Sequence, residues 1–105
     1  MSRRADLLAW LGTRRPTPPA TLTARIERAV REAPADVTAL RIPEALLAIG
    51  RALLEGVAGQ PDAKRPYALD LLAADAFITY AFEAQAELDL EGLNHLAEAA
   101  RGGEP

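Results

Sequence analysis

Hydrophobic positions recur at helical spacing along most of the chain, and the strongest pattern covers residues 67–88. No glycine or proline interrupts this segment, and Ala, Leu, Glu and Gln, which favour helices, dominate it. One broad face collects apolar positions: Leu71, Ala74, Phe77, Ile78, Ala81, Phe82 and Leu88. A narrow polar stripe runs along the other side: Asp75, Thr79, Glu83 and Glu87. Because Leu69, Leu72 and Tyr80 flank this stripe, the pattern is typical of a helix central to a bundle or buried in an oligomer interface.

The N-terminal pattern predicts a short helix over residues 3–12, followed by a stiff connector. Three prolines between Pro16 and Pro19 prevent a helix from continuing through residues 13–19. The first helix is therefore interpreted as an arm, residues 1–16, that docks on the body of the protein or on a second chain. Its apolar side consists of Leu7, Leu8, Trp10 and Leu11.

The rest of the predicted body covers residues 17–101, and a disordered tail is expected at 102–105. Apart from the central helix, its helical segments are predicted at about 19–32, 43–58 and 90–101, with a turn or short helix at 35–41 and a polar loop at 60–66. Asp89 suits the N-cap of the last helix. The apolar residues of that helix are expected to face inward: Leu90, Leu93, Leu96, Ala97 and Ala100. The predicted fold is all-α, a small bundle of four to five helices around the central apolar helix, with an N-terminal helical arm.

Composition narrows the class of protein. A chain of 105 residues, half of them hydrophobic, has the size and character of one globular domain. It contains no cysteine, which excludes disulfides, thiolate metal sites and cysteine nucleophiles. No apolar run reaches the roughly 18–20 uncharged residues that span a bilayer. We therefore expect a soluble, cytoplasmic protein without a membrane partner, and the abundance of Ala and Arg is typical of a GC-rich bacterial genome.

Charge is distributed unevenly along the chain. Residues 1–31 hold seven arginines against two acidic residues, a net of +5, whereas residues 67–105 hold eight acidic residues against Arg101, a net of −7. Opposite charges favour antiparallel packing within one chain or association between chains. A basic arm can also contact phosphates, with Trp10 stacked on a base, and the candidates for that are Arg3, Arg4, Arg14 and Arg15. The overall pI near 5.1 favours the first interpretation, in which the arm pairs with the acidic half.

The main candidates for chemistry are carboxylates of the polar stripe and the single histidine. Asp75, Glu83 and His95 are weak candidates for metal ligands, because di-iron bundles need a Glu-x-x-His motif on two helices and this chain has one histidine. The preferred interpretation is either a solvated stripe or a set of ion pairs with arginines of the second helix: Arg25, Arg28 and Arg31. Ser2 is the only serine and no Gly-rich phosphate loop occurs, so no catalytic residue and no cofactor is predicted.

Residues 69–83, LDLLAADAFITYAFE, are similar to a helix of trans-prenyl diphosphate synthases. The resemblance covers about fifteen residues. The paired DDxxD motifs with which that family binds magnesium and diphosphate do not occur in this chain, so its activity is not carried over to any residue here.

Taken together, these patterns favour a non-enzymatic protein that acts through protein–protein association, as a homodimer or as a subunit or adaptor of a larger assembly. The predicted central helix is more apolar than three or four short neighbours can cover, and an aromatic residue on the arm is typical of interfaces. The interface candidates are Trp10, Leu7, Leu11, Phe77, Tyr80 and Phe82. Two alternatives stay open: a small-molecule or metal-binding bundle closed by Asp75, Glu83 and His95, and a regulator that contacts nucleic acid through its arginine-rich arm.

Overall fold

The computed structural model describes residues 3–59 and 67–102, and these residues form helices joined by short connections. The helices of these two ranges are α1 (Arg3–Leu11), α2 (Ala20–Glu32), α3 (Ala35–Thr38), α4 (Ile42–Ala58) and α5 (Ala68–Gly102). No strand occurs within them, which confirms the all-α class. The predicted loop at 60–66 and positions 103–105 of the predicted tail lie outside the described residues. Gly102, assigned to the tail by the sequence pattern, is the last residue of α5.

Prolines set the starts of three helices. Pro19 and Pro34 are the N-caps of α2 and α3, both with extended ψ near 150°, and Pro43 lies in the first turn of α4. These positions suit proline because its fixed φ matches the start of a helix and its missing N–H would have no partner there. The observed starts lie within a residue of those predicted for α2 and α4, so local sequence signals dominate here.

Helices α4 and α5 form the most extensive contact of the fold. Gly50 lies at their crossing, where an added Cβ would meet the Cγ1 of Ile78 at 3.0 Å and the carbonyl oxygen of Ala74 at 3.2 Å. Ala45 and Ala73, which are fully buried, present small side chains to the core from α4 and α5. The distances at Gly50 show that α4 and α5 cross closely at this position.

The arm docks on its own chain, which was one of the two possibilities that the sequence left open. Leu7 of α1 is among the largest fully buried side chains, together with Val30 of α2, Leu46 of α4 and Phe77 of α5. The guanidinium of Arg4 donates hydrogen bonds to the carbonyl oxygens of Val30, at 3.0 Å, and Ala33. These carbonyls belong to the C-terminal end of α2, where a cation is favoured by the unpaired acceptors and the helix dipole.

The predicted break at Asp89 is wrong, because α5 continues without interruption for 35 residues. Asp89 does not cap a new helix; its carboxylate accepts a hydrogen bond of 3.0 Å from the amide of Gln85, one turn earlier on the same helix. Gly92 is tolerated inside the helix at a cost of about 1 kcal/mol relative to Ala. We refer to residues 68–88 of α5 as the packed segment and to residues 89–102 as the extension.

The extension projects from the body of the protein. Residues 89–101 are all exposed, so the expectation that the leucines and alanines of the last predicted helix face inward is wrong. The molecule measures 66 × 28 × 23 Å, and its radius of gyration of 16.7 Å exceeds the roughly 13 Å of a compact chain of this length. The packed segment is covered along one side only, since Leu71 and Leu72 on its outer side are exposed.

Candidate interaction surface

A cluster of polar and aromatic side chains joins the arm to the end of the packed segment. Arg14 donates hydrogen bonds through Nη1 to Oε1 of Glu83 at 3.1 Å and to Oε2 of Glu87 at 2.8 Å. The indole Nε1 of Trp10 donates to Oε1 of Glu87 at 3.0 Å. The guanidinium of Arg14 lies 3.7 Å from the centre of the Trp10 ring, and Tyr80 meets that ring edge-on at 6.2 Å between centroids. Hydrogen bonds, an ion pair and ring contacts therefore hold the arm in place.

The electrostatics of this cluster keep its charged groups ionised. Hydrogen bonds from Arg14 and then from Trp10 lower the pKa of Glu87. Burial lowers the pKa of Arg14, but hydrogen bonds to Glu87 and Glu83 outweigh it, so the net effect is a raised pKa. Burial, followed by the charge of Glu83, raises the pKa of Tyr80. Each of these shifts stabilises the state that the group already has near neutral pH, which suits a structural role better than proton transfer.

The polar stripe is exposed to solvent, as the first of the two expectations states, and within the described residues it does not pair with the α2 arginines. Glu83 and Glu87 pair instead with Arg14 of the connector. The Nε atom of Arg25 lies 2.6 Å from Oδ1 of Asp70, and Arg28 pairs with Glu32 on its own helix. The broader prediction, that the arginine-rich N-terminal part pairs with the acidic C-terminal half, is confirmed by these contacts. Three of the four arginines considered for phosphate contact, Arg4, Arg14 and Arg15, donate hydrogen bonds within the fold.

The weak metal-ligand candidates are not brought together. Asp75, Glu83 and His95 are spread along one helix, and the twelve residues from Glu83 to His95 correspond to roughly 18 Å of helix axis. Among the described residues, no group of three or more His, Asp or Glu side chains is placed to hold a metal ion. The pocket that these three residues were expected to close is therefore not formed by them.

An apolar groove of about 210 Å³ runs between α2, α3 and α4 and is lined by residues such as Val37, Ile49 and Leu53. Arg25 lies at its edge, and its Nη1 donor has no hydrogen-bond partner among the described residues. That nitrogen has no solvent-accessible surface, however, so a ligand in the groove does not reach it unless the side chain moves. A ligand in the groove would therefore contact apolar surface, but it would not form a hydrogen bond with Nη1 of Arg25.

Most of the predicted interface candidates are used inside the chain itself. Leu7 and Phe77 are fully buried, and Trp10, Leu11 and Tyr80 are half-buried against the core. Phe82 is different, because 70% of its surface is exposed.

Phe82 begins an apolar stripe that continues along the extension. Leu90, Leu93 and Leu96 are 60%, 62% and 68% exposed. We call the following set the outer stripe: Phe82, Ala86, Leu90, Leu93, Leu96, Ala97 and Ala100. At about 100° per residue, Leu93 lies about 160° around the helix from the buried Phe77, so the outer stripe faces away from the body. The pattern was visible in the sequence, but only the length of α5, twice that of α4, reveals that no helix of the described chain covers it.

Comparisons with known proteins do not assign a function. No protein family, curated protein or solved structure matches this chain. None of the described helices combines the length and the apolar character that a membrane crossing requires.

The outer stripe is the surface with the clearest chemical character in the described chain. Its members are spaced mainly three and four residues apart, which is typical of an amphipathic helix that docks in a groove or against another helix. What it can do is bind an apolar partner surface of matching shape.

Proposed function

We propose that this protein is a non-enzymatic association module that binds another protein helix along the outer stripe of α5. The partner is a second copy of the chain or a component of a larger assembly. The observation that supports this proposal is the exposure of four large apolar side chains, Phe82, Leu90, Leu93 and Leu96, on one face of a helix that extends beyond its body.

Two physical arguments support a partner. Monomeric soluble proteins seldom expose contiguous apolar patches larger than a few hundred Å², and larger patches mark interaction sites. Most of the stability of a helix in a protein also comes from packing of its amphipathic face, and the amphipathic face of the extension is not packed. Complete burial of a leucine side chain contributes about 1.5–3 kcal/mol, so covering the three leucines of the extension would stabilise both the complex and the helix.

In such a complex α5 would be covered on both sides. The body already covers the face that carries Ala73 and Phe77, and the partner would cover the face that carries Leu93. Helix α5 would then be the central helix of a larger bundle, the arrangement that the apolar pattern of residues 67–88 predicts.

The placement of the reactive side chains supports a non-enzymatic role. Arg14, Glu83 and Glu87 bond to one another and hold the arm. His95 lies on the extension, roughly 18 Å along the helix from Glu83. No pair of these groups is arranged as an acid and a base around a shared cleft.

The experiment compares two double substitutions on the same helix. Leu93→Gln with Leu96→Gln makes the outer stripe polar, whereas Leu71→Gln with Leu72→Gln changes two exposed leucines on the packed segment. Each chain is tested by sedimentation velocity and by co-purification from its source cells. We expect the first variant to lose its partner and some helical circular dichroism, and the second to behave like the wild type.

Two results would contradict the proposal. One is a wild-type chain that sediments as a monomer at all concentrations and co-purifies with nothing. The other is association that survives in the Leu93 and Leu96 variant and disappears in the Leu71 and Leu72 variant.

A further inference from the structure

We infer that the partner on the outer stripe is a second copy of this chain, packed antiparallel about a two-fold axis that passes near Leu93. This inference rests on the proposed function and specifies the partner and its orientation.

The first argument is the symmetry of the stripe. Leu90 and Leu96 lie three residues to either side of Leu93, and Ala86 and Ala100 lie seven residues to either side. In an antiparallel pair centred on Leu93, residues at equal distances from the centre face each other. Leucine would therefore meet leucine in three successive layers, and alanine would meet alanine at both ends. A face that complements itself in this way is what a two-fold interface requires.

The second argument is charge. Arg101 is the only basic residue in the acidic segment 67–105. In the antiparallel pair it lies opposite residue 85 of the second copy, between the carboxylates at positions 83 and 87. These two carboxylates share the single charge of Arg14 in their own chain, so the pair keeps a net negative charge that attracts Arg101. Both ends of the interface would gain this attraction, and the antiparallel helix dipoles would also attract each other.

The third argument excludes the parallel arrangement. Along the packed segment the outer side of α5 is interrupted by the exposed residues Asp75 and Thr79. A parallel pair in register would place each Asp75 beside its own copy, and like charges at an interface are unfavourable. In the antiparallel pair centred on Leu93, the end of α5 at Gly102 lies opposite residue 84. The overlap then covers residues 84–102 and leaves Asp75 and Phe82 outside. Asp89 lies within it, about 40° around the helix from Leu93, and the antiparallel arrangement separates the two Asp89 residues by about 12 Å along the helix axis.

The body of the protein leaves room for this partner. The outer stripe faces about 160° away from the packed face, and the overlap reaches the packed segment only at its last turn. An overlap of about 28 Å of helix gives an interface at the small end of specific complexes. We therefore expect a dissociation constant in the micromolar range, which calls for a method that traps the dimer.

The chain has no cysteine of its own, so any disulfide must form through a cysteine that has been introduced by substitution. A disulfide needs Cα atoms within about 7 Å. Four full-length variants are prepared: Ala86→Cys, Leu93→Cys, Ala100→Cys and, as a control at nearly the same height but on the far side of the helix, His95→Cys. Circular dichroism first verifies that each retains the wild-type helix content. Each variant is then oxidised alone, and Ala86→Cys is also oxidised in an equal mixture with Ala100→Cys.

The antiparallel pair predicts that Leu93→Cys forms a disulfide-linked dimer by itself, because this position lies at the axis. Ala86→Cys and Ala100→Cys should cross-link only when mixed, since two copies of either residue lie about 21 Å apart along the helix axis. His95→Cys should remain monomeric.

Other outcomes overturn the inference. Self-cross-linking at all three stripe positions would show a parallel pair. Cross-linking of His95→Cys to the same extent as Leu93→Cys would show random collision. A monomeric wild type with no cross-link in any sample, including the mixture, would rule out the second copy. In that case co-purification of a different protein, lost in the Leu93 and Leu96 variant, would still support the proposed function.

Discussion

The packed segment and the extension of α5 belong to one helix and each has an apolar face, but the environments of these faces are opposite. Residues 73, 74 and 77 in the packed segment have no exposed surface, whereas the leucines at 90, 93 and 96 in the extension are more than half exposed. The difference arises from the neighbours: α4 has 17 residues and α5 has 35, so α4 runs along only part of α5. An amphipathic pattern shows which side chains share a face, and the lengths of neighbouring helices decide whether that face is covered.

Truncation of one phenylalanine on each side of α5 tests most directly whether the two faces of the helix have different environments. Phe77→Ala removes a fully buried ring and is expected to lower the free energy of unfolding by about 3–5 kcal/mol. Phe82→Ala removes a ring that is largely exposed and is expected to change it by less than about 0.5 kcal/mol in the monomer. Urea unfolding at low protein concentration measures both. Similar losses for the two variants would mean that the two faces are not distinct.

Substitution of two glycines of α4 by alanine tests the close packing of α4 on the packed segment of α5. At Gly50 a methyl group would lie 3.0–3.2 Å from Ile78, Phe77 and the backbone of Ala74, whereas at Gly56 nothing lies within 4 Å. Gly50→Ala is expected to destabilise by about 1–3 kcal/mol through overpacking. Gly56→Ala is expected to stabilise by up to about 1 kcal/mol through helix propensity. Thermal unfolding should therefore shift in opposite directions, and a rise in Tm for both variants would contradict the close crossing.

The smallest expected effect concerns the boundary between the two segments, where Glu87 accepts hydrogen bonds from Arg14 and Trp10. Its pKa is lowered in the folded state from an ordinary value of 4.5. The stabilisation is therefore present above pH 4.5 and is lost as the pH falls through the lowered pKa. Because Glu87 is half exposed, we expect no more than about 0.5–1 kcal/mol.

The fluorescence of Trp10, the single tryptophan, follows this titration. Acid should change its emission in the wild type below about pH 4.5, and Glu87→Gln should abolish that step. Glu98→Gln, on the extension, is the matched control and should leave the step unchanged. A step that persists in Glu87→Gln would assign the titration to another group.

Local signals in the sequence were sufficient for the helices of the body. Proline fixes φ and removes a donor wherever it occurs, so Pro19, Pro34 and Pro43 mark helix starts independently of tertiary structure. Gly50 could be recognised as a crossing because a glycine inside an apolar helix face has few other uses. The pairing of the basic arm with the acidic half followed from net charge alone.

The wrong predictions share one cause. The periodicity of apolar residues shows which side chains share a helix face, but it does not show whether another helix packs on that face. Asp89 resembles an N-cap, but without a proline or a turn before it the helix simply continues. Leu90, Leu93 and Leu96 form a face that was assumed to be covered because most such faces are. The sequence predicts that the arginine-rich arm pairs with the acidic half, but the contact of Arg14 with Glu83 and Glu87 depends on the path of the connector, which the proline pattern leaves undefined.

For the candidate site, the sequence predicts a helix with more apolar surface than its own chain covers, but it places the exposed part of that surface wrongly. Most of the predicted interface candidates fill the core, and Phe82 is the one that remains largely exposed. The residues that extend the stripe are predicted to face inward, but they are exposed. Composition therefore indicates how much apolar surface the helix carries, and only the helix lengths indicate which part of it is left exposed.

The uninterrupted course of α5 also has a mechanical consequence. A helix of 35 residues is a rod of roughly 53 Å at 1.5 Å per residue. Two such rods joined tail to tail would keep their bodies at opposite ends and present two identical heads at a fixed spacing. Any target that carries two copies of a site at that spacing would be held with higher avidity than a single head provides.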